Sequence, residues 1–206
     1  MKSVLHFLQR YNKIILFMLV LLAGYQVVIA GHSCSALAAW AYTLGFGVLV
    51  IAGLVMILLG NEVLEKPLVV IVSTIIPLSI SLGLVIDYWP AWRWIYLGFV
   101  VLGFLILALT RTRFRTRLTA LLLAGMHAVA GMIILLTPIA AFMAGTVAQA
   151  AFVWVSVGGA LIGVGGLLLA FLRSGKVLLQ QAEIFTLLPG ILLLMTAAFS
   201  LGFAAV

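Results

Sequence analysis

Residues 121–138, LLLAGMHAVAGMIILLTP, form the stretch that decides the fold class of this chain. They carry one ionisable side chain, that of His127, near the middle. A transmembrane helix needs about 20 predominantly apolar residues, so the stretch is long enough to cross a bilayer. The whole 206-residue chain has the same character, with 67% hydrophobic and 7% charged residues. Because soluble domains are about half apolar and about a quarter charged, the sequence predicts an integral membrane protein.

Seven such segments predict an all-α, polytopic membrane protein with a single transmembrane domain over residues 1–206. Ahead of the first span, residues 1–13 mix apolar with basic side chains, as a short interfacial helix does. Residues 137–149 carry no charge and either extend the fifth or sixth span or lie along the outer interface. The spans are placed near residues 14–30, 35–60, 67–86, 92–110, 118–136, 150–172 and 185–206.

The basic residues predict how these spans are oriented. With a cytoplasmic N-terminus, Arg93 alone of the 11 lysines and arginines falls on the outer side. Cytoplasmic loops are enriched in Lys and Arg, so we expect the N-terminus inside and the C-terminus outside. The run RTRFRTR is interpreted as a topology anchor on anionic headgroups rather than a nucleic-acid site, since no soluble fold surrounds it. Its four arginines are Arg111, Arg113, Arg115 and Arg117.

Aromatic residues concentrate in DYWPAWRW, residues 87–94. Tyr and Trp side chains are enriched at the headgroup level, so the cluster predicts an aromatic belt at the interface. The alternative is an aromatic cage for a ligand cation. The residues concerned are Tyr88, Trp89, Trp92 and Trp94.

Short internal matches suggest three related helix hairpins followed by a lone seventh helix. LGFGVL begins at Leu44 and LGFVVL at Leu97, while LLAG occurs at Leu21 and again at Leu122. The stretch LLLAGMHAVAGMIILLTPIAAF, followed by WVSVGGALIGVGGLLLAFLRS, resembles the hairpin repeat of HdeD-type acid-resistance membrane proteins. That resemblance implies a small stress-response protein of the bacterial inner membrane without a catalytic site. Such proteins typically have six spans, so the seventh helix is a departure.

The ionisable residues argue against several classes of function. Buried acids and bases mark proton relays, ion pumps and carboxylate active sites in membranes. The acidic residues here all fall at predicted helix ends: Glu62, Glu65, Asp87 and Glu183. Cys34 is the one cysteine of the chain, which excludes a multi-cysteine metal site. GHSCS, residues 31–35, is interpreted as a polar turn, with a nucleophile–base pair as the alternative.

His127 is the strongest single candidate for a cofactor ligand. Gly125 and Gly131 flank it and leave room for a flat group or for a neighbouring helix. One axial histidine suffices for chlorophyll or a five-coordinate haem. The alternative is a hydrogen bond to another helix, which binds spans together. The partners considered for that bond are Gln26, Ser79, Gln149 and Ser156.

The glycines of the sixth span predict close helix packing, within the bundle or against another protein, because small residues let backbones approach. They are Gly158, Gly159, Gly163 and Gly166, of which Gly159 and Gly163 form a GxxxG pair.

Three functions fit these observations. The favoured one is a non-catalytic scaffold, stress-response protein or accessory subunit, in contact with lipid and with other membrane subunits or its own copies. The second is a haem- or chlorophyll-binding subunit that uses His127. The third is a channel or carrier for a neutral or lipid-like solute.

Overall fold

The computed structural model describes residues 2–29, 35–113, 117–173 and 180–205, and this part of the chain is helical with short connections. Three 3₁₀ turns, Asn61–Glu65, Pro90–Trp92 and Ala150–Val153, lie between the helices. The α-helices are α1 (Lys2–Ile29), α2 (Ala36–Leu59), α3 (Pro67–Ser73), α4 (Ile75–Tyr88), α5 (Arg93–Arg113), α6 (Arg117–Met143), α7 (Trp154–Arg173) and α8 (Gln181–Phe203).

The helices confirm the all-α, multi-pass membrane fold. Six described segments are long and apolar enough to span a membrane: Leu5–Ile29, Ala36–Leu59, Pro67–Tyr88, Pro90–Thr110, Leu121–Met143 and Ala182–Phe203. The third of these joins α3 and α4. In α7, the 20 residues rise about 30 Å at 1.5 Å per residue, which matches the hydrocarbon core.

One predicted boundary is wrong, and one that was left open is decided. The first 13 residues do not form a separate helix, because α1 runs unbroken from Lys2 to Ile29. No proline or glycine interrupts it before Gly24. Its 28 residues rise about 42 Å, so one end projects beyond a core about 30 Å thick. The fifth span extends past residue 136, as one of the alternatives for residues 137–149 predicts, since α6 continues through Pro138 to Met143.

A break within the third span is explained by Pro77. Proline has no backbone N–H, so the carbonyl of Ser73 loses its usual partner four residues on. The helix is interrupted at Thr74, whose side-chain hydroxyl donates to the carbonyl of Ile71. By contrast, α8 continues through Pro189 without interruption.

Six of the helices form a closed ring in the order α1, α2, α4, α6, α7, α8 and back to α1. The predicted lone seventh helix, α8, closes this ring by packing on both α7 and α1. Helix α5 lies outside, against α3, α4 and α6. We call the end with Pro90–Trp92 the tryptophan end and the end with Asn61–Glu65 the basic end.

Aromatic side chains fill the centre of the helix bundle towards the tryptophan end. Phe203 lies 4.9 Å from the Tyr42 ring and 6.1 Å from the Phe46 ring, measured between centroids. Phe199 and Phe152 join the same group at 6.2 and 6.4 Å from Phe203. Contacts of 4.5–7 Å are typical of favourable aromatic pairs, so these rings hold α2 and α8 together across the bundle.

Polar side chains join three helices at the basic end. Asn61 Nδ2 donates to the carbonyl of Phe185 over 2.9 Å and lies 3.4 Å from Asn12 Oδ1. Asn12 Nδ2 in turn lies 3.3 Å from Asn61 Oδ1. The segment after α2 is thereby bonded to α1 and α8.

Candidate functional site

Within the described part of the chain, the hydrogen bond of His127 is to its own helix. Its Nδ1 lies 3.0 Å from the carbonyl oxygen of Leu123, one turn earlier. Nδ1–H is then the donor, which leaves Nε2 with a lone pair. No bond from His127 to Gln26, Ser79, Gln149 or Ser156 is found, so the predicted interhelical bond is absent among the described residues. Two of the partners considered for it are buried without a hydrogen bond to any described residue: Gln26 at its side-chain Nε2 and Ser156 at its Oγ.

The surroundings of His127 leave space beside its helix. A Cβ at Gly125 or Gly131 would meet no described atom within 4 Å. Within the described ranges, no three His, Cys, Asp or Glu side chains are grouped closely enough to hold a metal ion. His6, on the first turns of α1, is exposed. The cofactor role of His127 stays a prediction that depends on its free Nε2.

The glycines of α7 divide into two kinds. A Cβ on Gly158 would lie 2.4 Å from Phe199 Cε1 on α8, and one on Gly159 would lie 2.8 Å from Ile134 Cγ2 on α6. These two glycines are buried where α7 meets its neighbours. Gly163 is exposed, and a Cβ there would meet no described atom within 4 Å. The predicted packing role of Gly163 within the bundle is therefore wrong, while side-chain space at Gly166 lies outside the described part.

Asp87 ties the start of α2 to the end of α4. Its Oδ1 accepts hydrogen bonds from Ser35 Oγ at 2.9 Å and from Ser35 N at 3.3 Å. Ser35 Oγ also accepts from Ala38 N, as an N-cap does. A carboxylate is stabilised beside the first turn of a helix, where N–H groups lack partners. Asp87 thus acts as a capping group, a role that its sequence position at a helix end did not reveal.

The predicted interface aromatics lie in two environments. Trp89, Trp92 and Trp94 are 46%, 60% and 62% exposed, as side chains of an aromatic belt are. Tyr88 instead turns inward, where its ring lies 5.1 Å from that of Phe152. The predicted position of Tyr88 in the belt is wrong because residues 88 and 89 point to different sides of the end of α4.

A lateral groove lies between the tryptophan-end halves of α4, α5 and α6. Its volume is about 400 Å³. The walls include Trp89, Trp92, Tyr96, Phe99, Met132 and Leu136. Pockets that bind small molecules are commonly about 300–1,000 Å³ and mostly apolar. Only Trp89 and Trp92 of this set have a sequence signal, since the rest are ordinary apolar residues of a span that α5 and α6 bring together.

The remaining predicted residues lie at the limits of the described part. Arg111 and Arg113 belong to the last turn of α5 and Arg117 begins α6, but their side chains are not described. Arg115 lies outside the described residues altogether, as do His32 and Cys34 of the GHSCS turn.

Comparison of the chain with protein families, curated proteins and solved structures gives no match.

Proposed function

We propose that the protein is a non-catalytic scaffold or accessory subunit of a membrane complex, and that α5 is the helix that contacts its partner. The observation that carries this proposal is the position of α5 outside the ring. Over residues 93–110 of α5, only Tyr96 and Leu107 are buried. In α4, ten of the 14 residues are buried. A helix that adds so little to its own bundle is well placed to pack against another protein.

The side of α5 that faces away from the groove has the composition of a helix-packing surface. Groove residues Trp92, Tyr96 and Phe99 share one side of the helix, and residues 94, 98, 101 and 105 lie on the opposite side by the 3.6-residue period. We call these four residues, Trp94, Gly98, Val101 and Leu105, the outward face of α5.

Gly98 is the feature of the outward face that favours a helix as partner. A Cβ at Gly98 would meet no described atom within 4 Å, so its small size serves no contact within the described bundle. Its neighbours Trp94, Val101 and Leu105 are 62%, 47% and 51% exposed. In lipid, helices associate mainly by close packing at small residues. A second transmembrane helix could approach the α5 backbone closely at this point.

The packing at the centre of the bundle favours a scaffold, rather than a channel, as the function of the protein. The rings of Tyr42, Phe46, Phe152, Phe199 and Phe203 occupy the tryptophan-end half of the ring of helices, where a solute would have to pass. Ser79, Ser81 and Thr196 are buried, and Ser81 and Thr196 bond to carbonyls of their own helices at i−4. Such groups pack the interior and do not line an aqueous path.

The cellular setting is part of the same proposal. The excess of Lys and Arg at the basic end favours a cytoplasmic N-terminus. The resemblance to HdeD-type proteins favours a stress-response role in a bacterial inner membrane.

A pair of glycine substitutions tests the scaffold proposal. Gly98→Leu adds bulk to the outward face, and Gly47→Leu adds the same bulk to the exposed side of α2, where a Cβ also meets no described atom within 4 Å. Both proteins are extracted with their native lipids in polymer-bounded discs, and the mass of each assembly is measured by light scattering. We expect Gly98→Leu to lose the larger assembly and Gly47→Leu to keep it. A wild-type protein that is extracted as a lone chain, or an assembly that survives Gly98→Leu, would contradict the proposal.

A further inference from the structure

We propose that the lateral groove binds one acyl chain of an anionic phospholipid from the leaflet at the tryptophan end, with the phosphate at Arg93. This inference does not rest on the proposed function, because the groove and Gly98 lie on opposite sides of α5.

The groove is shaped for a chain that runs along the helices. On α5 it extends from Trp92 to Phe99, which is about 10 Å at 1.5 Å per residue. On α6 it extends from Met132 to Ala140, or about 12 Å. One leaflet contributes about half of a hydrocarbon core that is about 30 Å thick. The groove therefore covers most of the depth of one leaflet, beginning at the headgroup level marked by Trp92.

The chemistry of the walls selects hydrocarbon over a polar solute. Trp89 and Trp92 at the mouth give way to Phe99 and Met132 further in. Two polar groups of the groove wall already bond to each other: Trp89 Nε1 donates to Thr137 Oγ1 at 3.2 Å. A polar ligand would lose its bonds to water at these walls and gain few in return.

Tyr96 shows the same pattern from the α5 side. Its hydroxyl lies 2.8 Å from Ser81 Oγ, in a buried contact that ties α5 to α4. The ring of Phe99 stacks on that of Tyr96 at 5.5 Å, which extends a flat apolar wall along α5. Flexible methylene chains can pack on such a wall through dispersion contacts alone.

The charge at the mouth selects an anionic headgroup. Arg93 directly follows Trp92, is exposed, and its Cζ lies 5.3 Å from the centre of the Trp94 ring. No described carboxylate forms an ion pair with it. Asp87, the nearest acid in the sequence, is bonded to Ser35 on the α2 side of α4. A guanidinium that lies against the Trp94 ring, one residue beyond Trp92 at the mouth of the groove, is suited to a lipid phosphate.

Native mass spectrometry of the purified full chain tests the site directly. The wild type is equilibrated with equal amounts of phosphatidylglycerol and phosphatidylcholine of identical chains, and the retained lipid is counted. Arg93→Gln removes the charge, and Ala140→Phe fills the groove beside Thr137. Arg10→Gln, at the other end of the bundle and also beside an aromatic ring, is the charge control. Leu44→Phe on the exposed side of α2 is the bulk control.

The expected results separate the headgroup from the chain. The wild type should retain one lipid with a preference for phosphatidylglycerol. Arg93→Gln should reduce that preference about fivefold, the contribution of one basic residue near an anionic surface, and still retain a lipid. Ala140→Phe should abolish retention of either lipid, whereas both controls should behave as the wild type.

Either of two results would overturn the proposal. An unchanged headgroup preference in Arg93→Gln would contradict the assignment of the phosphate to Arg93. Equal retention in Ala140→Phe and Leu44→Phe would place the lipid outside the groove. Melting curves of each variant in the same detergent establish that the loss of lipid does not reflect unfolding.

Discussion

Replacing Gly159 by alanine places a methyl group at the closest approach between α6 and α7. An added Cβ would lie 2.8 Å from Ile134 Cγ2, 3.1 Å from Leu135 N and 3.2 Å from Ile134 C. Two of these three atoms belong to the backbone of α6, so rotating a side chain cannot relieve the clash. Carbon atoms in good contact are about 3.5–4.0 Å apart. The two helices must therefore move apart by several tenths of an ångström.

The size of the effect follows from two opposing terms. Overpacking a well-packed interior typically costs about 1–3 kcal/mol. Alanine is favoured over glycine inside a helix by roughly 0.5–1 kcal/mol. We expect Gly159→Ala to lower the free energy of unfolding by about 1–2 kcal/mol. For a chain of this size that corresponds to a melting temperature lower by about 2–8 °C.

Gly163→Ala is the matched control, since it makes the same chemical change one turn further along α7. A Cβ there meets no described atom within 4 Å. The helix preference of alanine then acts alone, and we expect the melting temperature to stay the same or rise by up to about 4 °C. Thermal melts of both variants, followed by size exclusion in one detergent, give the comparison. If the two variants melted at the same temperature, the packing assigned to Gly159 would be refuted.

Three further substitutions test other contacts. Asp87→Ala leaves the Ser35 N–H and hydroxyl at the start of α2 without their acceptor, and we expect a loss of about 1–2 kcal/mol in thermal melts; a melting curve like that of the wild type would contradict the capping role. Asn61→Ala removes two bonds to Asn12 and one to α8, and at about 0.6 kcal/mol for each such bond in a membrane protein it should destabilise the chain by about 2 kcal/mol in the same melts. For His127→Ala we expect an absorption spectrum identical to that of the wild type, without a Soret or chlorophyll band; a band that is lost in the variant would instead make Nε2 a ligand and favour a haem- or chlorophyll-binding subunit.

The aromatic residues of 87–94 show how far reasoning from sequence extends. Trp89, Trp92 and Trp94 are expected at the headgroup level because indole rings settle there whatever the arrangement of the helices. Their exposure agrees with that placement. The same reasoning misplaced Tyr88, since adjacent residues at the end of a helix point in different directions and only the neighbouring elements decide which of them is covered.

Gly159 and Gly163 show where it fails. A GxxxG pair indicates that two small residues share one side of a helix, and this indication is correct. Whether a partner backbone lies against both depends on how two helices diverge. In this protein α6 lies against Gly159, while Gly163 is exposed.

By itself the sequence determined the all-α membrane fold and most of the limits of its long apolar helices. The physical reason is that the bilayer selects helices by length and apolarity, both of which are local properties of the chain. Only the tertiary structure decided that α8 closes a ring with α1, that α5 lies outside it, and that a groove opens between α5 and α6. All of these helices are similarly apolar, so their arrangement depends on side-chain packing and a few polar bonds, such as Tyr96 to Ser81 and Asp87 to Ser35.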